Sequence, residues 1–186
     1  MKLQHASQLL LGLCAMVGMG IAQAQSTGLS YSGYSIGHIH TTRATASDTA
    51  GINFSGSFKI NDTFFAAANV AAQKAIDGGK IGVGFHVPAP VDALKNVDLY
   101  AIAGVARNTN YNTGWGPTVS AGAKTMLSPQ WELNFQSAYT DLNTTGHERE
   151  TSLSLGYLLT RDLIVRARSF RATNSQGYEL AIGSHF

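Results

Sequence analysis

The feature that most restricts this chain is an apolar–polar alternation of period two that recurs from about residue 29 to the C-terminus and is cut by polar turns at nearly constant intervals. Period two belongs to β-strands, whose successive side chains point to opposite faces. Ile52, Phe54, Gly56, Phe58 and Ile60 alternate with Gly51, Asn53, Ser55, Ser57 and Lys59. Trp131, Leu133, Phe135 and Tyr139 alternate with Glu132, Asn134, Gln136 and Thr140, and Leu153, Leu155, Tyr157 and Leu159 with Ser152, Ser154, Gly156 and Leu158. After Gln25 no stretch keeps the 3.6-residue stripe of an amphipathic helix. Tight turns fall at Asn61-Asp62, Lys95-Asn96, Ser128-Pro129-Gln130 and Arg161-Asp162, so counting 61, 95, 129 and 161 gives steps of 34, 34 and 32 residues. That is a hairpin repeat. Between them lie looser connections rich in Gly, Asn, Thr or Ser at 41–49, 74–79, 108–114, 142–149 and 173–177. Four tight turns and five looser loops predict about ten strands, and an even number leaves both termini at one end.

An all-β chain with one apolar face per strand either buries those faces in a sandwich or turns them outward to lipid around a polar interior. Three features favour lipid. Strands of about ten residues tilted near 40° cover roughly 25 Å, the height of an outer-membrane apolar band, whereas sandwich strands usually run about five or six residues. Aromatics gather at strand ends, with Phe58, Phe64, Trp115, Trp131, Tyr139, Tyr178 and Phe186 at or near a boundary, as an interfacial girdle places them. Only 13% of residues are charged, about half the globular norm of roughly 25%. The expected fold is an all-β, antiparallel, up-and-down transmembrane β-barrel.

The terminal strand carries a resemblance. The last strand sets Tyr178, Leu180, Ile182 and Phe186 on one face and Glu179, Ala181, Gly183 and His185 on the other, and the sequence ends on Phe186. It resembles the small outer-membrane β-barrel proteins of Gram-negative bacteria, of OmpA-like and OmpX-like type, with ten strands in place of eight. The resemblance implies an outer-membrane location, surrounding lipid, and a closing strand whose Tyr178, Leu180, Ile182 and Phe186 form an assembly signal. It also implies the barrel-assembly machinery and periplasmic chaperones as partners in biogenesis. Most short ten-stranded relatives are described only as outer-membrane proteins, so the family fixes location better than activity.

The first residues fit that route. Lys2 supplies a positive start, residues 9–21 an apolar core and Ala22-Gln23-Ala24 an A-x-A cleavage site, which reads as a secretory signal peptide over 1–24 followed by a barrel over 25–186. Thirteen residues at about 1.5 Å each span only about 20 Å, short of a hydrocarbon core of about 30 Å. The single cysteine, Cys14, lies in that segment and leaves no disulfide framework or Cys-based metal site.

Charged side chains in strands face inward, because Arg facing lipid at mid-depth costs about 2–4 kcal/mol. Lys124, Glu132, Asn134, Arg166, Arg168 and Glu179 are therefore the expected polar network of the lumen. Such a network either plugs a narrow interior by pairing or forms a charged constriction for small solutes. Ten strands lie near the filled end of barrel sizes, which favours the plug. His38 and His40 project to one face without a third ligand nearby, so no metal or cofactor is expected. The assortment Asp141, His147, Glu148 and Glu150 reads as a solvated loop without a lipase or protease signature, so no catalysis is expected. A net charge of +2 with no basic block excludes nucleic acid as a partner. The expected function is a structural or narrow porin-like outer-membrane barrel. A surface interaction protein acting through its loops is the alternative, and an enzyme acting on outer-membrane lipid comes third.

Overall fold

The computed structural model describes residues 29–44, 47–73, 76–91, 94, 96–108, 114–142 and 146–186. The expected signal segment lies outside them. Ten strands follow in order: β1 (Gly33–Arg43), β2 (Thr49–Lys59), β3 (Phe64–Gln73), β4 (Ile76–Pro88), β5 (Val97–Asn108), β6 (Gly114–Met126), β7 (Trp131–Asp141), β8 (His147–Leu158), β9 (Leu163–Ala172) and β10 (Ser175–His185). Each pairs antiparallel with its neighbours, and β1 pairs β10 with Ile36 opposite Ile182, so the sheet closes into a barrel. Closure leaves no strand edge, the condition for placing backbone in lipid.

The turn repeat has a local chemical cause. Ile60 N–H donates to the Phe64 carbonyl at 2.8 Å, Leu127 to Trp131 at 2.8 Å and Leu159 to Leu163 at 2.9 Å, so the three turns share one construction. In each, a side-chain oxygen accepts from the two backbone N–H groups that would otherwise be bare: Asn61 from Thr63 and Phe64, Ser128 from Gln130 and Trp131, Thr160 from Asp162 and Leu163. The fourth connection at this end, 89–96, is longer.

Several strands are longer than ten residues, and the opposite loops correspondingly shorter than the sequence suggests. Strand β10 starts at Ser175, so the loop expected over 173–177 shrinks to 173–174, and β4 resumes at Ile76 rather than after 79. Ladder bonds satisfy backbone groups that loose Gly- and Ser-containing segments leave open, so pairing runs on through weak strand formers.

The barrel is inside-out relative to a soluble domain. Ile36, Ile52, Phe54, Val70, Ile81, Val83, Phe135, Leu153, Leu180 and Ile182 are exposed, whereas Asn53, Asp98, Glu132 and Glu179 are buried. Three inward rings lie flat against the wall because their cross-strand partner is glycine: Phe65 faces Gly84, Tyr100 faces Gly122 and Phe170 faces Gly177. A Cβ at any of these glycines would collide with the ring.

Candidate functional site in the barrel lumen

Two charge clusters occupy the interior. The first lies near the end that carries both termini. Glu132, the second residue of β7, is only 2% exposed and takes Lys124 Nζ at 3.0 Å and Arg166 Nη2 at 2.9 Å. One carboxylate thus serves two cations from the strand on one side and from β9 beyond β8. Beside it the Tyr100 hydroxyl donates to Asn134 Oδ1 at 2.9 Å.

The second cluster sits further along the barrel. Glu150 on β8 accepts from Lys80 at 3.2 Å and from Arg168, whose other Nη lies 3.3 Å from Glu179. Glu179 also accepts from Asn53 Nδ2 at 2.8 Å, and Asn53 Oδ1 from Asn69 Nδ2 at 2.7 Å. Asn69 is the cross-strand partner of Lys80, so the belt returns to its start. Lys80 on β4 and Glu150 on β8 stand four strands apart in a ring of ten. Their ion pair therefore crosses the bore as a strut. A cavity of about 400 Å³ runs among these groups, lined by residues of both clusters.

The segment preceding β1 folds into the terminus-bearing mouth. The Tyr31 ring stacks on His86 at 4.0 Å, lies 4.8 Å from Phe65 and meets Tyr100 edge-on at 6.4 Å. Lys124 Nζ donates to the Ser30 carbonyl at 2.8 Å and stands over the Tyr31 ring. His86 Nδ1 and Asp98 Oδ2 are 2.9 Å apart beneath it. Ser32 Oγ accepts from Lys59 N–H, and its carbonyl accepts from Phe186 N–H.

The six expected lumen residues all face inward, but they do not form one network. Arg166 pairs with Glu132, Arg168 with Glu179, and Asn134 with a tyrosine rather than a charge. Sequence reasoning missed Lys80, Asn53, Asn69, Tyr31 and the His86–Asp98 pair, and it placed Glu150 in a solvated loop. Strand β8 in fact begins at His147, and the parity of Leu153, Leu155 and Tyr157 extended backwards carries Glu150 into the lumen. The same parity on β4, where Ile81, Val83 and Phe85 face out, would have found Lys80. The rim assortment is split: Glu148 and Glu150 face in, while Asp141 and His147 face each other on the outer side. His38 and His40 also face outward, His40 stacked on Tyr178 at 5.2 Å. Among the described residues no group of three or more His, Cys, Asp or Glu side chains could hold a metal. On β10, Tyr178, Leu180 and Ile182 face outward, and Phe186, 68% exposed, follows its last residue.

Residues 9–158 match the outer membrane protein beta-barrel domain. The chain belongs to that family. It is an integral outer-membrane β-barrel, and lipid surrounds its apolar face. Strands β9 and β10, which lie beyond the matched span, complete this family member's barrel. Among solved structures, a KdgM porin is 9% identical with a TM-score of 0.50, covering 82% of this chain and 99% of that one. The KdgM porin in complex with disordered oligogalacturonate gives the same values. A NanC porin is 9% identical with a TM-score of 0.47, over 83% of this chain and 98% of that one. At 9% identity the likeness to the KdgM porin is one of fold. No curated protein matches the chain.

Proposed function

We propose that this barrel is a non-catalytic, porin-like protein of narrow bore, stopped at its terminus-bearing mouth by Tyr31. The observation that carries the reading is the coexistence of a polar cavity of about 400 Å³ with a Tyr31 ring only 8% exposed, held by Phe65, His86, Tyr100 and Lys124. A filled structural plug needs no such cavity, and an open pore needs no such stopper. The solute class is small and polar, because the Lys80–Glu150 strut divides the bore. Both clusters mix signs, so the interior offers no single-sign selectivity ring.

The reading includes delivery. Residues 1–24 are removed as a signal peptide, the chain then begins near Gln25, and the barrel-assembly machinery and periplasmic chaperones insert it with the termini facing the periplasm. The exposure of Phe186 beyond the closing strand supports its role as an assembly signal. The split of Asp141, His147, Glu148 and Glu150 between two faces supports the absence of catalysis.

Single-channel recording in a planar bilayer tests the pore. The wild-type barrel is expected to stay mostly closed, and Tyr31→Ala to show frequent unitary openings. If Tyr31→Ala is as silent as the bare bilayer while its gel mobility reports a folded barrel, the lumen is a plug and the role structural. Equal full conductance in both proteins would remove Tyr31 as the stopper.

A further inference from the structure

The outer face of the barrel is not uniformly apolar. Arg149, third residue of β8, and Arg171, next to last of β9, are exposed on the lipid-side parity of adjacent strands, both at the end away from the termini. Neither has a carboxylate within 4 Å among the described residues. Arg149 stands over the Tyr139 ring at 6.0 Å, and Tyr139 stacks on His147 at 5.7 Å. Arg171 is opposite Gln176 in register, with Tyr178 the next outward residue of β10. This strip of cations and aromatics occupies interfacial depth, where a guanidinium costs little and meets headgroups.

A furrow descends from the strip. Along the outer face of β9, Arg171 is followed by Ser169, Ala167 and Val165. Leu153 and Leu155 of β8 flank Ser169 and Ala167 on one side, and Tyr178 and Leu180 of β10 flank the same two residues on the other. Small floor and large walls make a channel one side chain wide. It opens into an apolar groove of about 390 Å³ where Val165, Leu180 and Ile182 meet Ile36, His38 and Ile52. The six residue steps from Arg171 to Val165 cover about 20 Å along the chain and about 15 Å along the membrane normal at the usual tilt. That is half of a hydrocarbon core of about 30 Å, the depth of one leaflet.

We infer that this face holds one phosphate-bearing lipid of the surrounding leaflet, with its phosphate on Arg149 and Arg171 and one acyl chain in the β9 furrow. Charge complementarity sets the headgroup, and the furrow's depth sets the chain. The occupant is a lipid rather than a free anion, because the guanidinium pair has no walls of its own and the furrow beneath it is apolar. In the orientation proposed above, this is the outer leaflet.

Native mass spectrometry of the full barrel, released from detergent carrying diphosphoryl lipid A, tests the inference. The expected result is one lipid retained per barrel. Arg149→Gln with Arg171→Gln should weaken retention about tenfold or more, as loss of two charge-assisted contacts implies. Ala167→Leu, which fills the furrow and leaves both arginines, should weaken it comparably. Each variant is checked for folding by its unboiled gel mobility. Undiminished retention by either variant, equal retention of the dephosphorylated lipid, or competition by millimolar inorganic phosphate alone would overturn the assignment.

Discussion

Replacing Glu132 by Gln tests the lumen most sharply, because the two clusters differ in how they are balanced. Lys124, Glu132 and Arg166 sum to +1, and losing the one carboxylate leaves +2 with no anion between the cations. Lys80, Glu150, Arg168 and Glu179 sum to zero, and Arg168→Ala leaves −1 with Lys80 still on Glu150 and Asn53 still on Glu179. At about 3 Å and an effective dielectric near 20, each Glu132 contact is worth roughly 5 kcal/mol before desolvation is subtracted. Breaking a buried pair by removing one partner costs about 3–5 kcal/mol, and Glu132→Gln should fall in that range because the amide keeps shape and loses charge. Arg168→Ala should cost about 1–3 kcal/mol, the scale of charged hydrogen bonds lost while second partners remain. Urea unfolding of the barrel in lipid vesicles, followed by tryptophan fluorescence, measures both. Adding Lys124→Met to Glu132→Gln should recover part of the loss, since one uncompensated cation disappears. A Glu132→Gln barrel within about 1 kcal/mol of wild type would refute the reasoning, by placing the cluster in freely hydrating water. So would an Arg168→Ala barrel less stable than it.

Two further outcomes follow from the wall and the closing strand. Gly122→Ala should destabilise the barrel by about 1–3 kcal/mol, the usual scale of overpacking, because its methyl meets both the Phe135 carbonyl oxygen and the Tyr100 ring and breaks the Tyr100–Asn134 bond. Combining it with Tyr100→Ala should cost less than the two changes summed, as a double-mutant cycle in the same unfolding assay reveals. Deleting Phe186 should lower the amount of folded protein in isolated outer membranes well below that of a barrel lacking Asn112. Equal amounts would remove Phe186 from assembly.

Strand number, turn positions and facing could be read from the sequence because each rests on neighbours in the chain. Alternation follows from the pleat, and the tight turns from Asn61, Ser128 and Thr160 capping backbone two or three residues on. The inward assignment of Lys124, Glu132, Arg166, Arg168 and Glu179 follows from the cost of charge in lipid alone. Pairing was a different matter. Whether Arg166 reaches Glu132 or Glu179, and whether Lys80 meets Glu150 70 residues away, depends on the stagger of ten closed strands, which no local pattern encodes. Loop ends moved because ladder bonds add up around the ring, and their sum exceeds the weak local preference of Gly and Ser against strand. Tyr31 lies before the first alternation and has no period to place it, and only the room left in the bore where Phe65 and Tyr100 lie flat on Gly84 and Gly122 gives its ring a seat. The β9 furrow likewise exists only once β8 and β10 flank it. What the chain determines by itself is which face each side chain takes; which side chains then meet across or along the barrel is decided by closure, because contact distance depends on register between segments far apart in sequence.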